Sequence, residues 1–400
     1  MADLLSTDRL FDDQAQRTLA HALFGGADLG ECITTMQRVP AGDMVAWQVQ
    51  WQATAERVAA LGDAAAARGH RVSAREAWLR AANYFRTAYL FAYGNPVPAI
   101  ARDLLARETA VFAKAAAALE PALVPLEIPY AGTTLPACFC PAGPGTRPLL
   151  VCTGGYDSTL RESYFAFAVE AQRRGWHALL FDGPGQGRVV IEQGLPMRGD
   201  WEAVVRPVLD VALTLPGVDP RRVVLTGWSL GGYLSLRAAA FEPRLAACVS
   251  DPGLPSLRAP IAKMFAALPP SALADPLAAD PALFAPYEAH IAADPALRWK
   301  VMQRGYMVHG VDSVAGYVAA VRDFDATPHL ADIRCPVYLG CEENDPLAQF
   351  APDAYAALNG PKTLQRFAAA EGAGDHTAIL ARSLFLARMF DWLDEVVPAR

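Results

Sequence analysis

From Pro121 onward, short apolar runs bounded by Gly and Pro alternate with helix-length amphipathic segments. The runs "LVPLEIPY", "LPACFC" and "PLLVCTGG" come first, followed by "WHALLFD", "RVVLTG" and "LAACVS", and "CPVYLG" and "KTLQRFA" close the series. Each has the length and flanking turn residues of a strand. Helices are expected between them, near 163–175, 201–215 and 230–241, and again at the end, from 377 to about 396. Alternation of this kind predicts an α/β fold with a mostly parallel sheet and helices on both faces. A long helical stretch at about 252–330 interrupts the pattern. It is expected to be an insertion after the sixth strand, lying over one end of the sheet.

Residues 1–120 have a different character. "DMVAWQVQWQATAERVAALGDAAAARG" and "SAREAWLRAANYFRTAYLFAYG" space apolar residues three and four apart, the helical period. Ser73 and Glu76 have the spacing of a capping box. A further helix is expected over 100–119. The organisation is therefore read as an N-terminal helical domain over 1–120 and an α/β domain over 121–400.

With 53% hydrophobic residues, the 400-residue chain can bury a large core. Its formal net charge of −7 offers no basic surplus for phosphates, so nucleic acid is not an expected partner. No apolar run approaches the roughly eighteen residues of a membrane helix. The start "MADLLSTDRLFDDQAQ" lacks a basic-then-apolar leader pattern, and a cytoplasmic location is expected. The seven cysteines do not form a disulfide framework, and neither they nor the histidines recur at metal-ligand spacing. No cofactor or metal is expected.

"TGWSLGGYLS" places Ser229 between Gly227 and Gly231, directly after a strand candidate and before a helix candidate. That context is what a nucleophile elbow requires: a sharp turn exposes the hydroxyl above the sheet. A serine needs a base. Among the seven histidines, His376 in "EGAGDHTAIL" follows the last strand candidate, where this topology can bring an imidazole to the serine. The acid that orients it is assigned to Asp345 in "GCEENDPLAQF", after the seventh strand. Asp251 in "VSDPG", after the sixth, is the alternative. Oxyanion donors are expected from the amide of Leu230 and from that of Gly155 or Tyr156 in "TGGYDSTLRE", with the choice between the last two left open. Tyr84, Arg161, Trp228, Asp251 and Tyr306 are candidate substrate contacts. Aromatics such as Tyr84 and Tyr306 serve equally well as helix packing. "FDGPGQGR" lacks the Lys and Ser/Thr of a phosphate loop and is read as a structural turn at the pocket rim.

The elbow "GWSLGG" with "ENDP" and "GDH" resembles the α/β-hydrolases over about 121–400. "HRVSAREAWLRAANYFRTAYLF", "TGGYDSTLRE" and "FDGPGQG" extend the resemblance to a subgroup with an N-terminal helical domain. Fungal polyketide-shortening hydrolases and 2,6-dihydropseudooxynicotine hydrolase belong to that subgroup. The resemblance implies a Ser229–His376–Asp345 triad beneath a helical lid. It further implies attack on a carbonyl of an apolar or aromatic small molecule, with cleavage of a carbon–carbon bond beside a ketone or of an ester. Acyl transfer or cyclisation through the same acyl-enzyme is the alternative chemistry, and a non-catalytic binding protein is the alternative from another class. The N-terminal helical face offers a surface for a homodimer.

Overall fold

The computed structural model describes residues 4–398; the first three and last two residues, at the outer ends of the two expected domains, lie outside the described residues. Five helices come first: α1 Arg9–Ala20, α2 Leu29–Met36, α3 Met44–Ala67, α4 Arg71–Tyr89 and α5 Ala99–Ala118. Aspartates open the first three. The side chains of Asp8, Asp28 and Asp43 each accept a bond from a backbone N–H of the first turn, which otherwise has no partner. The fourth departs from expectation. Gly69 ends α3 in the left-handed region and α4 begins two residues later, so Ser73 lies inside the helix and caps nothing. The helices α3, α4 and α5 pack side by side, burying Trp47, Trp51, Tyr84 and Tyr89 completely.

Eight strands then form one sheet in the order β1-β2-β4-β3-β5-β6-β7-β8. They are β1 Val124–Tyr130, β2 Thr133–Cys140, β3 Arg147–Thr153, β4 His177–Phe181, β5 Val218–Trp228, β6 Ala247–Asp251, β7 Val337–Glu342 and β8 Lys362–Phe367. Only the pairings made by β2 are antiparallel; the other five are parallel, and β3, β4, β6 and β7 are buried along nearly their whole length, as is the second half of β5. The fold class expected from the sequence is the one observed. Parallel pairing also places the carboxyl ends of β3 to β8 along one edge, and loops from six strands meet there.

One continuous apolar core runs from Phe11 and Trp47 in the helices through the sheet to Phe385 and Phe390 in the last helix, Arg382–Val396. The segment between β6 and β7 is helical and has a second core of its own around Phe265, Phe284, Val301 and Val321. It is fastened to the first by Trp299, which stacks edge-on to Phe91 with centroids 5.0 Å apart and donates its indole N–H to the Leu90 carbonyl at 2.9 Å.

Candidate active site

The backbone turns most sharply at Ser229, with φ 58° and ψ −126°. A non-glycine residue held there costs on the order of 1–3 kcal/mol, and persists only where its surroundings over-determine it. Here they do. The Ser229 N–H donates to the Asp251 carbonyl of the neighbouring strand at 2.6 Å, and the helix Leu230–Ala239 starts at once. Two glycines make the turn possible by close approach. A Cβ on Gly227 would run into the Gly231 carbonyl, and one on Gly231 would lie 2.8 Å from the carbonyl oxygens of both Thr153 and Gly154.

The loops after β7 and β8 complete the arrangement. His376 Nε2 lies 2.9 Å from Ser229 Oγ, and its Nδ1 lies 2.7 Å from Asp345 Oδ2. The other Asp345 oxygen accepts the Leu347 N–H at 2.9 Å. With the carboxylate holding a proton on Nδ1, Nε2 is left free to accept from the serine hydroxyl. Burial alone would resist a positive charge on His376. The Asp345 carboxylate and its hydrogen bond outweigh that, holding the imidazole above the ordinary histidine value. Burial likewise works to raise the Asp345 pKa, but His376 and the backbone donors lower it. The Asp345 side chain is fully enclosed, whereas 45% of the imidazole surface remains exposed. Water and small molecules can therefore reach the imidazole but not the carboxylate.

A polar niche adjoins the serine. Leu230 is the first residue of its helix, so its N–H has no acceptor within that helix. The loop after β3 presses against the elbow so closely that a Cβ on Gly155 would sit 2.8 Å from Ser229 Cβ. The Gly155 N–H is occupied by Ser158 Oγ at 2.5 Å, while the Tyr156 N–H has no hydrogen-bond acceptor among the described residues. Gln186 braces this loop: its amide nitrogen donates to the carbonyls of Gly154 (2.7 Å) and Gly155 (3.1 Å), and its oxygen accepts from Gly183 N–H.

An ion-pair network ties the helical layers to this loop. Arg17 of α1 reaches Asp157 at 2.8 Å and Glu162 at 2.6 Å, and Arg304 of the insertion reaches Asp157 at 2.6 Å. Burial opposes ionisation of Glu162, yet Arg17, Arg86 and His21 bring it down to about 2. The carboxylate of Asp157 is likewise held ionised, against the cost of burial, by Arg17 and Arg304.

Other candidates named from the sequence lie elsewhere. The Tyr84 hydroxyl donates to Glu31 and accepts from the Asp28 N–H, and its ring packs on Trp51, so it is a helix-packing residue. Arg161 is buried against Glu108 at 2.8 Å, with no charge to spare for a substrate. Tyr306 belongs to the core of the insertion. Trp228 points inward beneath the elbow, where its ring meets Phe167 and the guanidinium groups of Arg17 and Arg382. Asp251 is also fully enclosed, its carboxylate paired with Arg382 at 2.5 Å rather than with His376. The Tyr156 ring packs between Arg304 and His309, so its side chain is engaged away from Ser229. Sequence reasoning missed Gln186, Ser158, Arg17 and Arg382. "FDGPGQG" was the available signal for Gln186, since a glutamine among glycines has no packing reason to be there.

Comparisons with known proteins agree with this architecture. Residues 149–389 match the model of the alpha/beta hydrolase family. Hydrolase acrC of Aspergillus aculeatus is 34% identical over 410 residues, covering 95% of this chain and 94% of that protein. The 20-hydroxy-prefusarin hydrolase FUS2 of Gibberella moniliformis is 40% identical over 255 residues, but the match covers only 61% of this chain and 60% of FUS2. The crystal structure of 2,6-dihydroxy-pseudo-oxynicotine hydrolase shares the fold with a TM-score of 0.74 at 24% identity, over 95% of this chain and 96% of that one. This chain belongs to the alpha/beta hydrolase family, and it is a hydrolase. No helix among the described residues is long and apolar enough to cross a membrane.

Proposed function

We propose that this enzyme is a serine hydrolase that opens an apolar ketone or ester through an acyl-enzyme on Ser229. The observation that carries the reading is the pair of contacts on one imidazole, 2.9 Å to Ser229 Oγ and 2.7 Å to Asp345 Oδ2. Ser229 Oγ adds to the substrate carbonyl as its proton passes to His376 Nε2. The amides of Leu230 and Tyr156 hold the oxyanion; the Gly155 amide, already engaged by Ser158, is the weaker candidate. Collapse of the intermediate breaks the bond to the leaving group, and His376 returns the proton to it. Water, deprotonated by the same imidazole, then releases the acid. Asp345 stabilises the imidazolium throughout.

For a β-diketone the bond broken is carbon–carbon. The leaving carbanion is stabilised as an enolate of the remaining ketone and is protonated by His376. The products are one carboxylic acid and one ketone, with one water consumed. A polyketide-like or aromatic carbonyl compound is the substrate class that the resemblance of "TGGYDSTLRE" and "FDGPGQG" supports, and FUS2, a 20-hydroxy-prefusarin hydrolase by name, is in keeping with it.

Turnover of β-diketones and of aryl esters in ¹⁸O-water is the test. Incorporation of one labelled oxygen into the acid, with loss of turnover in Ser229→Ala, is expected. Unlabelled product would instead establish acyl transfer or cyclisation. Full activity in Ser229→Ala would overturn the nucleophile assignment.

A further inference from the structure

Beneath the site lies a buried charged group that the proposed chemistry does not use. Asp251 ends β6 and Arg382 opens the last helix; both side chains are completely enclosed. Replacing a buried ion pair with apolar residues of similar volume is often neutral or stabilising. Stability is therefore a poor reason for this one.

Its bonds end on the segments that carry the site. The Asp251 carbonyl accepts the N–H of Ser229 itself at 2.6 Å. Its side chain holds Arg382 at 2.5 Å, and the same guanidinium nitrogen donates to the carbonyl of Thr377, next to His376, at 2.9 Å. Thr377 and Ala378 both sit in the left-handed region, with φ 58° and 46°, a conformation that two successive non-glycine residues do not hold without an outside clamp. Arg382 is in turn held against the rings of Phe385 and Phe167, at 4.2 Å and 4.7 Å.

The loop that carries Asp345 joins from the other side. Glu342 ends β7, and both its carboxyl oxygens are buried without a hydrogen bond from any N–H or hydroxyl group among the described residues, as is the second oxygen of Asp251. The position of a Cβ on Gly340 lies 2.8 Å from Glu342 Oε1 and 3.2 Å from Asp251 Oδ1, so the two carboxyl groups face each other across that glycine. Two such acids cannot both ionise in a dry site. Burial first, then the charges of Asp251 and Asp345, pushes the Glu342 carboxyl well above the ordinary range, which favours its protonated form beside Asp251.

We infer that Asp251, Arg382 and Glu342 are positioning residues that lock the serine elbow, the histidine loop and the acid loop into one register. The inference rests on Ser229 and His376 acting as nucleophile and base. They touch no substrate; they act through Ser229 N–H, the Thr377 carbonyl and the chain leading to Asp345.

The test uses the full-length protein, a fluorophosphonate probe for Ser229 and p-nitrophenyl butyrate as a reporter ester. The double variant Asp251→Leu/Arg382→Met removes both charges together. Its melting temperature is expected to stay near that of the wild type. Its labelling rate and kcat are expected to fall by about tenfold to a hundredfold with little change in KM, the scale of a misplacement of about 1 Å. Glu342→Gln, which keeps a neutral donor, is expected to retain the wild-type rate, whereas Glu342→Met is expected to lose several-fold. A folded double variant that labels at the wild-type rate overturns the inference. Should the double variant not fold, the Glu342 pair decides: equal rates in Glu342→Met and the wild type overturn it. A wild-type protein that takes no probe overturns the nucleophile itself, a separate outcome.

Discussion

Replacing Asp345 with Asn removes one charge and changes almost no volume, and the structure says what that does. Oδ1 accepts from the Leu347 N–H and Oδ2 from His376 Nδ1. An asparagine must keep its oxygen toward Leu347, because that N–H is otherwise left without an acceptor. Its NH₂ then faces Nδ1 as a donor. The proton moves to Nε2, the nitrogen that has to accept from Ser229, and the base is in the wrong tautomer. The imidazolium formed during attack also loses its counter-charge. Two unit charges at 2.7 Å interact by roughly 6 kcal/mol at an effective dielectric of about 20, of which the amide dipole recovers a part. At about 1.4 kcal/mol per decade, kcat is expected to fall about 10³- to 10⁴-fold with KM little changed. Steady-state hydrolysis of p-nitrophenyl butyrate, with a thermal melt on the same sample, measures both. Turnover within about tenfold of the wild type in a folded protein would refute the reasoning and return Asp251 to consideration as the acid.

Other perturbations probe the same geometry. Because Asp345 raises the His376 pKa above 6.5, the base is protonated and inactive over a wider acidic range. The acid limb of kcat/KM should therefore fall above pH 6.5, and an initial-rate profile with the limb below that value would contradict the assignment. Gln186→Leu removes the donor to the Gly154 and Gly155 carbonyls, and is expected to lower kcat about tenfold to a hundredfold by loosening the oxyanion loop, as burst kinetics would reveal. Arg17→Met leaves Asp157 and Glu162 each with one fewer cation in a buried setting, and should cost about 3 kcal/mol in urea unfolding at neutral pH. The folded value of Glu162 is depressed from 4.5 to about 2, so its contribution is present above pH 4.5 and is lost as pH falls toward 2. The Arg17→Met deficit should accordingly shrink in acid, and a deficit independent of pH would count against the network.

Element type was legible because it depends on local pattern. The eight strand-length runs all became strands, and the helix expected over 100–119 is observed as Ala99–Ala118. The α/β class follows from that alternation alone. The loops that bring Ser229, His376 and Asp345 together were also readable, since a strand-to-helix serine flanked by glycines, and an acid and a histidine after later strands, are placed by chain order once the sheet is parallel. The helix expected over 163–175 is instead broken by a π-turn over Tyr164–Ala168, which no periodicity signals. Distance along the chain hides partnership, and that is where the reading stopped. Nothing near Asp251 in sequence announces Arg382, 131 residues away, and nothing near Asp157 announces Arg17 or Arg304. Tyr84, Tyr306 and Arg161 have the chemistry of pocket residues, and only packing shows that each is already occupied. Sequence alone determined which backbone segments become strands and helices and in what order the reactive groups appear, because those depend on neighbours a few residues apart. Tertiary structure alone decided which amide near Ser229 is free, which carboxylate faces the imidazole and which charges cancel in the interior, because burial and pairing depend on residues that meet only after folding.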